Sequence, residues 1–218
     1  MSRCPPEKQL VPQWNRKQAL RLKTVQTPLG LSALVWGMRG NTPRIFRIFL
    51  SSGDETAVER AHKAFADIAE SSCRGVDNLA ADIRSFLAGS AVTFDRSMLD
   101  FDRLPPFQRN VLDTESTIPR GQVASYRVLA EAVGSQGGAR AVGNALARNP
   151  FPIVIPCHRA VRSDGSLGGF QGGLPMKRRL LEMEGVAFTS SGTVAEDRFH
   201  FFPGILTHAR SVASKHNR

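Results

Sequence analysis

Apolar and polar residues alternate along "KTVQTPLGLSALVWG" (23–37) and "TPRIFRIFLS" (42–51), and many of the apolar ones are β-branched or aromatic. That pattern predicts two or three strands, with Pro28-Leu29-Gly30 and Gly40-Asn41 as the turns between them. The period then lengthens to that of a helix. "DETAVERAHKAFADIAES" (54–71) predicts an amphipathic helix with Asp54 as N-cap, Ala57, Ala61, Ala64, Phe65 and Ile68 inward, and His62 exposed. "NLAADIRSFLAGS" (78–90) predicts a second helix that stops at Gly89.

Beyond Pro105-Pro106 the elements shorten. "FQRNVLDTESTI" predicts a helix halted by Pro119, and "PRGQVAS" a turn ending in Ser125, which caps the helix "YRVLAEAVG". The turn "SQGG" and a further helix, "ARAVGNALARN", complete a helix-turn-helix plan. At about 100° per residue, Arg140, Asn144, Ala147 and Arg148 fall on one face of this last helix. Val142, Ala145 and Leu146 fall on the other. Ile153, Val154 and Ile155, set between prolines, predict a short buried strand that delivers Cys157 and His158. "RSDGSLGGFQGG" follows as a glycine-rich wing or substrate loop with its hairpin turn at Asp164-Gly165. "LPMKRRLLEMEG" predicts a helix from near Pro175. Glu184 lies near its C-terminus, where the helix dipole disfavours an acid, so a cationic or hydrogen-bonding partner is expected.

Composition fits a globular protein of one or two domains, with 41% hydrophobic and 22% charged residues among 218. Residues 1–102 read as an α/β domain with a loose, proline-marked start over 1–20, and residues 103–188 as a second domain. Residues 189–218 form a tail that matches no motif. The absence of a long apolar run or a leader pattern points to a soluble, cytoplasmic protein (nuclear in a eukaryote) with no membrane partner. Cys4, Cys73 and Cys157 lie too far apart for a zinc module or a disulfide framework, so no metal and no cofactor is expected. The net charge of +10 suggests a polyanionic partner, and residues 103–188 hold 11 basic against 6 acidic side chains.

A cysteine beside a histidine can be a nucleophile with its base, a pair of metal ligands, or inert packing. Context separates these. "ASYRVLA", "ARAVGNALARNP", "IPCHRAV" and "GGFQGGLPMKRRLLEMEG", spanning about Phe107 to Gly185, resemble the O6-alkylguanine-DNA alkyltransferases in both order and spacing. The resemblance implies an α+β protein: a ribonuclease-H-like α/β domain followed by a winged helix-turn-helix domain. It also implies a DNA repair reaction in which O6-alkylguanine is flipped out of double-stranded DNA and its alkyl group passes irreversibly to the protein's own cysteine.

By the same resemblance, Cys157 is the nucleophile, His158 its base through a water, and Glu184 the group that holds His158. Tyr126 turns the nucleotide and contacts the base, Arg140 fills the vacated stack, and Asn149 ties the recognition helix to the active-site turn. Backbone groups of Cys157 and Ala160 receive the exocyclic amine, and the loop at Phe170 and Gln171 covers the base. Ser125 and Arg148 complete the DNA-facing set, on a chain expected to act as a monomer. Phe170, Gln171 and Ala160 depart from the family's usual residues, which bears on the preferred alkyl size. Other readings make different demands. A cysteine hydrolase turns over repeatedly, and a winged-helix DNA-binding regulator without alkyl transfer has no use for the thiol. A lesion binder lacks the thiol, and a sensor-regulator needs a four-cysteine module that three cysteines cannot supply.

Overall fold

The computed structural model describes residues 19–202 and comprises two compact units. Most of the expected loose start, with Cys4, and residues 203–218 of the tail lie outside the described residues. The first unit covers residues 19–104 together with two short returns of the chain, 150–154 and 171–173; the second holds the rest.

In the first unit, β1 (Arg21–Thr27), β2 (Gly30–Arg39) and β3 (Thr42–Leu50) form an antiparallel meander. The short β4 (Ala69–Glu70) pairs parallel to β1, giving the order β3-β2-β1-β4. Leu22, Ala33, Val35 and Phe49 from the strands pack on Ala57, Ala61, Phe65 and Ile68. The helix that carries Ala57 and Ala61, α1 (Ala57–Ala64), is shorter than its periodicity predicts. Its N-cap is Thr56, not Asp54. Thr56 Oγ1 accepts from the amide of Glu59 while Glu59 Oε2 accepts from the amide of Thr56, and this reciprocal pair outcompetes a single aspartate cap. α2 (Arg74–Leu87) packs along β1 and ends beside Gly89, as its sequence predicts.

Both short returns are bonded to the edge of β3. The carbonyl of Pro150 accepts from the amide of Ile48 at 2.7 Å, and Phe151 stacks on Phe101. Gln171 Oε1 accepts from the amide of Leu50. The expected strand Ile153–Ile155 is instead a turn. It is buried as predicted, but Ile153 adopts φ +75°, a left-handed conformation unusual for a β-branched residue. Three residues between prolines cannot build a ladder, because each proline lacks an amide donor and restricts the residue before it.

The second unit is the helix-turn-helix domain. α3 (Pro106–Glu115), α4 (Tyr126–Ala132) and α5 (Ala139–Ala147) pack together, and Ser125 Oγ caps α4 by accepting from the amide of Val128 at 3.1 Å. Two short strands, β5 (Ala124–Ser125) and β6 (Ala160–Val161), pair in parallel. A hairpin at Asp164-Gly165 leads on to α6 (Gly173–Met183). Residues 189–202, from the tail that is unassigned from sequence, brace this unit together with Phe188. Phe188 pairs with Val194, Val194 bonds Gly165, and Phe199 pairs with Val123. Val194 and Phe199 close an apolar cluster with Val123, Val161, Leu181 and Val186.

Candidate active site

Cys157, His158 and Arg159 form a single tight helical turn, not the end of an extended strand. Asn149, just beyond α5, reaches into this turn: its Nδ2 donates to the carbonyl of Ile155 at 3.1 Å. Gln108 on α3 donates to the carbonyls of Ala145 and Arg148, fixing the end of α5 from the other side.

His158 is fully buried, and its Nε2 lies 3.0 Å from Glu184 Oε1. A carboxylate there fixes the proton on Nε2 and makes Nδ1 the basic nitrogen. Arg159 answers the demand for a cation near Glu184. Its Nε donates to Oε2 at 2.9 Å, its Nη2 to Oε1 at 2.7 Å, and its Nη1 to the carbonyl of Ile118. Burial opposes ionisation of Glu184, yet His158 and Arg159 hold its carboxyl down at about 2. Burial dominates at His158, whose pKa falls below the ordinary value despite Glu184, so the imidazole is neutral at neutral pH. Burial likewise pushes the Cys157 thiol up to about 12, with Asn149 and Lys177 opposing that rise and Glu115 adding to it. A thiol this weakly acidic needs a base to become a nucleophile.

Lys177, Tyr126, Gly168 and Phe170 pack near the Cys157 turn. Lys177 is fully buried on α6, where Nζ donates to the carbonyls of Ala160 (2.6 Å) and Gly168 (3.2 Å) and sits 5.9 Å from the Tyr126 ring. Gly168 presses on Tyr126 so closely that a Cβ there would lie 2.7 Å from two ring carbons and nearer still to the hydroxyl. Phe170 meets the His158 ring edge-on at 6.3 Å.

With this geometry in view, the comparisons with known proteins are decisive. Residues 106–186 match the family model described as "6-O-methylguanine DNA methyltransferase, DNA binding domain". The methylated-DNA–protein-cysteine methyltransferase of Mycolicibacterium paratuberculosis is 35% identical over 166 residues, covering 76% of this chain and 92% of the relative. The chain belongs to this family. Its namesake from Methanothermobacter thermautotrophicus is 53% identical over 112 residues, or 51% of this chain and 62% of the relative. The crystal structure of Mycobacterium tuberculosis O6-methylguanine methyltransferase superposes with a TM-score of 0.61 at 32% identity, covering 76% of this chain and 92% of that one. A structure of the M. tuberculosis protein in complex with DNA gives 0.60 at 31% identity, over 75% and 92%.

The family site expected from the sequence is distributed as follows. Cys157, His158, Glu184 and Phe170 come together, with Asn149 bonded to the chain just before the thiol. Tyr126 and the Ala160 carbonyl gather around Lys177. Arg140 on α5 and Arg148, its C-cap, lie exposed, and Val142, Ala145 and Leu146 of the helix are buried. Ser125 is buried and occupied as a cap, and the side chain of Gln171 is committed to β3. Arg159, Lys177, Glu115 and Gln108 escape the sequence reading, although the signal for three of them is present. Gln108, Val111, Leu112 and Glu115 follow an inward i, i+3, i+4, i+7 stripe, as do Lys177, Leu180, Leu181 and Glu184. A polar residue on such a stripe marks a buried group.

Proposed function

We propose that this chain takes the alkyl group from O6-alkylguanine in double-stranded DNA onto Cys157, once per molecule. The observation that carries the reading is the buried Cys157 on the same turn as His158, whose Nε2 is anchored on Glu184. The proton leaves Sγ for His158 Nδ1 through a water, and Glu184 stabilises the imidazolium that forms, while Arg159, whose own charge opposes it, serves to hold the carboxylate in place. The thiolate then attacks the alkyl carbon. The carbon–O6 bond breaks with its electron pair on guanine, which takes up a proton, and a thioether remains on Cys157.

In-line attack requires the nucleotide outside the stack. Tyr126 contacts the extruded base, Arg140 on the exposed face of α5 fills the gap, and Phe170 covers the pocket. A winged-helix regulator without chemistry would leave the Cys157–His158–Glu184 arrangement unused. The test is intact-mass measurement after incubation with a duplex carrying O6-methylguanine. One methyl on Cys157 and an end to activity at one equivalent are expected, and repeated turnover would overturn the reading.

A further inference from the structure

Glu115, the last residue of α3, is fully buried, and neither of its carboxyl oxygens has a hydrogen-bond partner among the described residues. Natural cores rarely leave a buried carboxyl without a donor, because its desolvation is then uncompensated. No step of the alkyl-transfer mechanism uses it. Its surroundings are nonetheless those of the nucleophile. α3 packs on the Cys157–Arg159 turn. The charged and titratable groups that Glu115 senses or influences are Lys177 from α6, Arg159 and Cys157 from the turn, and Tyr126 from α4. Arg159 is already committed to Glu184, and Arg162 is exposed and acts on Tyr126 and Lys177. The ammonium of Lys177 is therefore the one buried cation in this cluster not bound to a carboxylate, and both the Cys157 thiolate and the Glu115 carboxylate would draw on it.

We infer that Glu115 is a positioning residue that competes with the Cys157 thiolate for the Lys177 ammonium, so that the nucleophile is favoured only while Glu115 keeps its proton. The inference rests on the alkyl-transfer reading for its biological meaning, but the competition concerns the thiol itself. Burial holds the Glu115 carboxyl near 8, against the pull of Lys177 and Arg159, so it is protonated at neutral pH and ionises in mildly alkaline solution. Once ionised, it draws on Lys177, whose own ammonium burial lowers to about 8, and repels a second anion at Sγ. Tyr126, held above its ordinary value by burial and by both anions, stays protonated throughout.

The experiment compares the full-length wild type with Glu115→Gln and Glu115→Leu. Alkylation of Cys157 is followed by peptide mass with iodoacetamide and, separately, with free O6-benzylguanine, from about pH 6 to about pH 9.5, spanning the expected ionisation of Glu115. Near pH 6.5 the three proteins should react within about twofold of one another, whereas above pH 8 both variants should pull ahead by about fivefold or more, because they lack the competing anion. A variant-to-wild-type ratio that stays constant across the range overturns the inference, as does a variant slower at every pH. Glu115→Leu keeps the test open if the glutamine variant folds poorly, and urea midpoints report on both. Divergence with iodoacetamide but no reaction with benzylguanine would sustain the competition while overturning the proposed function.

Discussion

Arg159 grips Glu184 with a two-pronged bond, Nε to Oε2 at 2.9 Å and Nη2 to Oε1 at 2.7 Å, one residue after the histidine that shares the same carboxylate. A fork of this kind fixes the plane of the carboxylate and with it the imidazole, which a point charge cannot do. Arg159→Lys should therefore lower the alkyl-transfer rate by about tenfold or more, the usual scale for a group that orients a catalytic ligand. Duplex affinity should hardly change. Single-turnover rates measured beside DNA titrations separate the two, and a rate loss explained by weaker binding would refute the orienting role.

Acid should loosen the fold in two stages. His158 is held below its ordinary 6.5, so under that pH the unfolded chain takes up a proton that the folded chain refuses. Stability is thus complete above about 6.5 and declines as pH falls towards the folded value. Glu184, depressed from 4.5 to about 2, adds a second loss between those two values. Urea midpoints across pH should show both slopes, and His158→Gln should abolish the upper one and shrink the lower, because His158 helps to hold Glu184 down.

Glu115 has the opposite sign. Its carboxyl ionises at 4.5 in the unfolded chain and near 8 in the folded one, so it costs stability increasingly as pH rises between those values. Glu115→Leu should raise stability at pH 7 by at least about 1 kcal/mol, as when other buried charged groups give way to apolar ones. The gain should shrink towards pH 4.5. A gain that does not vary with pH would mean that packing, not ionisation, is responsible.

Gly168 and Gly169 form a controlled pair. A Cβ at Gly168 would run into the Tyr126 ring, whereas one at Gly169 meets nothing within 4 Å. Gly168→Ala should displace Tyr126 and slow reaction with benzylguanine by about tenfold, since overpacking of this kind forces neighbouring groups to move. Gly169→Ala should react at the wild-type rate. Equal behaviour of the two would show that Tyr126 is not held by this contact.

Arg140 on α5 and Arg148 at its C-cap stand exposed, which predicts weak, sequence-independent duplex binding that falls steeply with salt as counterions are released. Arg140→Ala should slow repair in duplex DNA far more than reaction with a free benzylated base, for which no flipping energy is needed. Equal losses on the two substrates would remove the stack-filling role. Cys157→Ala deletes no phosphate contact, and its duplex affinity should stay within about 1 kcal/mol of wild type.

The sequence makes the strands of the meander, the capped α4 and the two faces of α5 legible, because each rests on local periodicity and local turn chemistry. It misleads where tertiary partners decide. Ile153–Ile155 have the composition of a strand but turn instead of extending, because the flanking prolines leave too few amides to build a ladder. Asp54 and Thr56 are both acceptable caps, and only the reciprocal bond to Glu59 selects Thr56. Glu184 announces its need for a cation from its position alone, and Arg159 meets it from 25 residues away. Glu115 and Lys177 were within reach of the same periodicity, but a hydrophobic-stripe reading passes over charged residues instead of asking why they lie on the stripe.

The pairing of Val123 with Phe199 also sets the order of events during synthesis. A ribosome making this chain has released Cys157 long before the brace that completes the surrounding domain, and the other unit likewise waits for Pro150 to bond Ile48. Each unit closes through contacts distant in sequence, which fold late and slowly. The thiol thus gains its full setting only after residues 194–199 have been added, and a message cut short between codons 187 and 199 would yield a protein that has the nucleophile but lacks the domain's final support.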